Sequence, residues 1–183
     1  MYSLKTIVKE SLPFMIVSAA ISIGAGYVLN INSNVLFALP GIIVVIPSFI
    51  NMNGSILSIL SCRISSALHM GTIKPQLKRT KTLDKNLMMT FLESVVSFTV
   101  LGFIAGIFNA VFGIPSIGLL VFPVVIVVAG MTSISLQSGL SILFSYVSYS
   151  KGIDPDNWVI PALTSISDFL GVFLLFVVLG IFI

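Results

Sequence analysis

Apolar residues run in long stretches separated by short polar connections, and this spacing predicts an all-helical chain with about five membrane crossings. The first span is expected from about Ser11 to Leu29, with Lys5 and Lys9 ahead of it and Gly24 and Gly26 forming a face that another helix can approach closely. The second covers about Val35 to Met70, too long for one plain crossing. Pro40, Pro47 and Gly54 interrupt it, so a bent or broken helix is expected, its cytoplasmic half including Ser55 to Leu68. A third span is expected over about Leu87 to Val111. After the turn Gly113-Ile114-Pro115-Ser116 comes a fourth, over about Ile117 to Tyr149, again overlong and with Pro123 and Gly130 inside it. A polar loop from Lys151 to Asn157 leads to the last span, from about Trp158 to Ile183.

Composition turns these stretches into membrane spans. The chain has 183 residues, 57% hydrophobic and 8% charged, with a mean hydropathy of +1.15. A soluble domain keeps about 25% charged residues, so the solvent of this surface is lipid, and residues 1–183 are expected to form one transmembrane domain with no soluble regulatory domain. The net charge of +3 comes from basic residues beside the spans, which suits lipid headgroups rather than nucleic acid. Lys74, Lys78, Arg79, Lys81 and Lys85, with Asp84, form a basic connection. Together with Lys5, Lys9 and Lys151 it places the N-terminus on the cytoplasmic side of the cell (plasma) membrane and, after five crossings, the C-terminus outside. Charge bias this one-sided predicts that any homodimer is parallel, with its two-fold axis along the membrane normal.

Some chemistry is excluded. The run Leu12 to Leu29 is long and lacks a small-residue cleavage site after it, so it reads as a retained helix and not a signal peptide. Cys62 is the only cysteine, which leaves no intrachain disulfide and no thiolate metal site; it reads as a packing residue. There is no phosphate-binding loop and no nucleophile elbow, so no enzyme is expected.

Asp168 is the most informative residue. It lies near mid-membrane, where an ionisable side chain costs at least ~2.5–3.5 kcal/mol, and no Lys or Arg lies at a similar depth. A mobile cation would offset that cost; the alternative is a carboxyl group kept protonated, or hydrogen-bonded to Ser and Thr of a neighbouring helix. Pro161 stands seven residues earlier on the same face, and a proline there frees the carbonyl of Asn157. Thr164, Ser165 and Ser167 add hydroxyls. Oxygen ligands alone suit a hard cation such as Mg²⁺, with Mn²⁺, Co²⁺ and Ca²⁺ also accepting them. Gly54 follows Pro47 by seven residues and Gly130 follows Pro123 by seven, a punctuation that suits a pore lining. One carboxylate cannot balance a dication, but a parallel dimer brings two to one depth, so the pore is expected at or near the dimer axis.

Around this core of the argument, Asp154 and Asp156 sit at the cytoplasmic mouth of the last span, where they either attract cations or cap the helix. Arg63 and Glu93 are expected to pair. His69 reads as an interfacial residue, and the glycosylation sequon Asn53-Gly54-Ser55 lies too deep to be used.

The segment Asp154-Pro155-Asp156-Asn157-Trp158-Val159-Ile160-Pro161-Ala162-Leu163-Thr164-Ser165-Ile166-Ser167-Asp168 resembles the Asp-Pro-Asp-Asn, Ile-Pro, Ser-x-x-Asp signature of the last helix of the MgtE family and its animal solute-carrier relatives. Gly54-Ser55-Ile56-Leu57 through Ser61-Cys62-Arg63-Ile64-Ser65 resembles the family's glycine-asparagine segment and the Arg-x-Ser helix after it. The family's asparagine falls on Ser55, with Asn51 and Asn53 close by. The resemblance implies a homodimeric Mg²⁺ channel or transporter with its pore at the subunit interface. It also implies that Asp168 matches the cation-coordinating aspartate, with Asn157 and the Gly54 region lining the path. Two other functions remain open to the sequence: a proton- or cation-coupled secondary transporter using Asp168 as carrier, and a non-transporting membrane scaffold.

Overall fold

The computed structural model describes residues 4–74, 78–152 and 155–183 and, within these, the side chains of all but 4–11, 14 and 155–157. The described chain is helical without strands, in six elements: α1 (Leu4–Ile31), α2 (Ser33–Ala38), α3 (Pro40–His69), α4 (Lys81–Val111), α5 (Val121–Ser150) and α6 (Pro155–Phe182). Four of these are long and apolar enough to cross a membrane: α3, α4, α5 and Trp158–Phe182 of α6. Within α1 the apolar stretch Met15–Ile31 is shorter, although the whole helix has 28 residues, or about 42 Å at 1.5 Å per residue.

Breaks fall where proline meets a helix start. The expected interruption of the second span occurs between Ala38 and Pro40, where Leu39 leaves helical geometry and Pro40 opens α3; a proline in the first turn loses no helical hydrogen bond. Of the bent or broken helix expected at Pro47 and Gly54, the break does not occur: α3 runs continuously through both. Pro123 is likewise in the first turn of α5 and not in its interior.

Packing is organised around α3 and α5, which touch each other. On one side α4 covers both, on the other α6 covers both, and α1 packs outside α6. Phe49, Phe98, Phe122, Leu57, Ile126 and Ile134 fill the main core. A second cluster with Leu60, Ile64, Leu68, Ile73, Leu83 and Tyr146 sits toward the 70–80 connection. Small residues set the closest helix approaches. A Cβ on Gly102 of α4 would stand 2.5 Å from Pro123 Cα of α5, and one on Gly24 of α1 would stand 3.2 Å from the Phe169 ring of α6. Gly26 meets nothing within 4 Å, so only Gly24 of the expected pair serves α1 packing within the protomer.

Candidate functional site

The carboxylate of Asp168 projects from α6 toward α1. Its Oδ2 accepts a hydrogen bond from Ser22 Oγ of α1 at 3.4 Å, and the side chain is partly exposed on the protomer surface. Among the described residues the ion pairs are Arg63 with Glu93 at 3.4 Å and Arg79 with Asp84 at 2.8 Å, so no described Lys or Arg neutralises Asp168. The Arg63–Glu93 pair joins α3 to α4 as the sequence predicts. No three His, Cys, Asp or Glu side chains gather among the described residues.

Two turns toward the N-terminus of α6, the carbonyl of Pro161 collects three hydroxyls. Ser18 Oγ of α1 donates to it at 3.2 Å, Thr164 Oγ1 at 3.0 Å and Ser165 Oγ at 3.0 Å. Pro161, Thr164, Ser165 and Asp168 share one face of α6 by their 3–4 residue spacing, and that face is tied to α1 through Ser18 and Ser22. The opposite edge of this face meets α3. A Cβ on Gly54 would lie 3.4 Å from Thr164 Cγ2, while Gly171 lies against Asn53 and Phe49. Asp168 falls between these two contacts along α6, so the structure brings Gly54, Thr164 and Asp168 into one neighbourhood.

The exposed side of α3 completes that neighbourhood. Ser48, Asn51 and Ser55 are exposed, with Ser58 partly so, and their 3–4 residue spacing places them on one stripe. Several exposed hydroxyls on other helices fold back on their own helix. Thr99 donates to the Val95 carbonyl, Thr132 to Val128, Ser135 to Met131, and Ser58 on the stripe itself to Gly54. Ser48, Asn51 and Ser55 make no such bond. Hydrocarbon offers polar groups nothing, so this stripe is suited to water or to another protein surface.

Other expected residues lie elsewhere. Asn53 is fully buried; its Nδ2 donates to the Phe49 carbonyl at 2.9 Å, and its Oδ1 has no partner. Gly130 is packed against the ring of Phe98 and so serves the contact between α4 and α5. Asp154 lies outside the described residues, as do the side chains of Asp156 and Asn157. Ser18, Ser22 and Ser48 were not singled out from the sequence, though the four-residue spacing of Ser18 and Ser22 in the first apolar span and the 3–4 residue spacing of Ser48, Asn51 and Ser55 in the second were the available signal.

A second polar feature lies inside the protomer. Ser133, Gln137, Ser141, Ser145 and Ser148 of α5 are buried. Gln137 Oε1 accepts from Ser167 Oγ of α6 at 2.7 Å, Ser145 meets Ser61 of α3 at 3.1 Å, and Ser141 reaches the Leu57 carbonyl at 3.4 Å. These groups satisfy one another across α3, α5 and α6, as interhelical polar contacts in membranes do.

Comparison with known proteins bears directly on this arrangement. Residues 46–178 match the model of the MgtE family, described as divalent cation transporter; the matched region contains the α3 stripe, Thr164 and Asp168. A comparison with curated proteins gave no significant match.

Proposed function

Because the chain belongs to the MgtE family of divalent cation transporters, we propose that it passes Mg²⁺ across the cell membrane along a path lined by the open α3–α6 face, with Asp168 facing the partly hydrated ion. In this reading α1 also crosses, giving five crossings with the N-terminus cytoplasmic and the C-terminus outside. A second copy related by a two-fold axis along the membrane normal supplies the other half of the pore.

The observation that carries this reading is the carboxylate of Asp168, deep in α6, partly exposed on the protomer surface and answered, among the described residues, only by Ser22 at 3.4 Å. An unneutralised charge at that depth is costly. Two such carboxylates facing one axis suit Mg²⁺, which keeps several waters and is usually held by one or two carboxylates. Ser48, Asn51, Ser55 and Thr164 then offer oxygens to the hydration shell rather than to the metal. The buried Asn53 would act behind this surface, holding α3 against Gly171.

The test is Mg²⁺ flux into vesicles containing the reconstituted chain. Asp168→Asn keeps the shape and removes the charge, and it should lower flux at least about tenfold, the equivalent of ~1.4 kcal/mol, with the oligomer intact. Unchanged flux through a still-dimeric variant would remove the basis of the proposal.

A further inference from the structure

At the far end of α3 from the Pro40 turn, a groove of about 540 Å³ opens between α3 and the start of α4, lined by Arg63, Ser66, Met70, Thr82 and Asn86 among others. Its chemistry is that of an anion site. Arg63 reaches Glu93 through Nη2 at 3.4 Å, but its Nη1 is buried without a partner. Among the described residues the hydroxyls of Ser66 and Thr82 and the side-chain amide of Asn86 make no hydrogen bond. Thr82 also stands in the first turn of α4, behind the N-cap Thr80, where unpaired amides and the helix dipole favour negative charge.

The rim adds long-range attraction. Lys74, Lys78, Lys81 and Lys85 are exposed around the connection, while Asp84 is taken by Arg79. Apolar side chains continue from the polar lining: Met70 is 70% exposed, and Met88 and Met89 follow Asn86 on α4 at 57% and 45%. A donor-rich pocket, a cationic rim and an adjoining apolar flank at the end of two membrane spans match a molecule with an anionic head and acyl tails.

We infer that this groove binds the phosphate of an anionic phospholipid, with the partly exposed Arg63 guanidinium, Thr82 and Asn86 as donors and the lysine rim drawing the headgroup in. The inference does not depend on the transport reading, since Arg63, Thr82 and Asn86 are not among the residues that line the proposed path.

The test uses the full chain in bilayers of phosphatidylcholine with or without phosphatidylglycerol. Two readouts apply: retention of each lipid through delipidation by mass spectrometry, and maleimide labelling of Cys62, which also lines the groove and is the single cysteine. Phosphatidylglycerol should be retained in preference to phosphatidylcholine and should slow Cys62 labelling. Arg63→Gln should weaken retention about fivefold, the effect of one basic residue at an anionic surface. Thr82→Val and Asn86→Leu, which leave the Arg63–Glu93 pair in place, should weaken it as well, and Asp168→Asn should not. Equal retention by wild type and all groove variants overturns the inference. So does equal protection of Cys62 by inorganic phosphate in pure phosphatidylcholine, which would make the ligand a free anion. Cys62 sealed against maleimide in both bilayers would assign the groove to a second copy and overturn it too.

Discussion

Gly54 of α3 and Thr164 of α6 meet so closely that a Cβ on the glycine would stand 3.4 Å from Thr164 Cγ2. That contact brings α3 close to α6 one turn before Asp168. At 3.4 Å an added methyl is in ordinary van der Waals contact, so Gly54→Ala should fold and transport nearly as the parent does. Gly54→Leu must part the helices, at ~1–3 kcal/mol for overpacking, and should lower both the thermal midpoint and the Mg²⁺ flux. If Gly54→Leu left flux untouched, the register of α3 on α6 would have no bearing on the path.

The stripe itself separates conduction from folding. Asn51 and Ser55 have no hydrogen-bond partner among the described residues, so Asn51→Leu and Ser55→Ala remove no described contact that holds one protomer together. Both should leave its stability unchanged or raised while reducing Mg²⁺ flux by several fold, because the hydrated ion loses water-binding neighbours. Thr132→Val and Ser135→Ala alter hydroxyls that already serve their own helix and should leave flux at the parental level. Equal effects from the two pairs would argue against a path along α3.

Gly102 tests the other side of the bundle. A Cβ there would meet Pro123 Cα at 2.5 Å, and backbone cannot swing aside as a side-chain tip can. Gly102→Ala should therefore destabilise the protein by about 1–3 kcal/mol, seen as a lower thermal midpoint in detergent. Gly139 is exposed with nothing within 4 Å. There alanine should be neutral, or stabilising by up to ~1 kcal/mol through helix propensity. Similar midpoints for the two variants would show that α4 and α5 do not approach so closely.

These contrasts show what the sequence could carry. Span lengths and the apolar composition were legible because a helix must satisfy its own backbone in lipid, and the Arg63–Glu93 pair was legible because each charge lacked another nearby partner. Proline was read less well. Pro40 and Pro123 open helices, whereas Pro47 sits inside one that continues, and only neighbouring packing decides between these outcomes. Facing was least legible. Asn51, Asn53 and Ser55 are close in sequence, yet Asn53 is buried and the other two are exposed, a distinction set by where α6 lies. Serines of α5 and α3 look alike in composition, but those of α5 and Ser61 of α3 close on one another inside the bundle, whereas Ser48 and Ser55 of α3 are left open.

The inward set allows the sharpest separation of scaffold from path. Ser167 Oγ donates to Gln137 Oε1 at 2.7 Å, and Gln137 Nε2 donates to Ser133 Oγ, all three side chains being fully buried. Ser167→Ala leaves the Gln137 oxygen without its donor and should cost ~1–3 kcal/mol, the penalty of a stranded buried group. Gln137→Leu combined with Ser167→Ala removes both ends of the bond, so the double variant should be less destabilised than the sum of the single ones, by about 1 kcal/mol in a double-mutant cycle. Flux per folded protein should hardly change in any of them, because this network joins α5 to α6 behind the Asp168 face. Strict additivity would mean the bond contributes nothing. A collapse of flux in stable Gln137 variants, with Asn51→Leu still active, would move the path of the ion from the open face of the protomer to its interior.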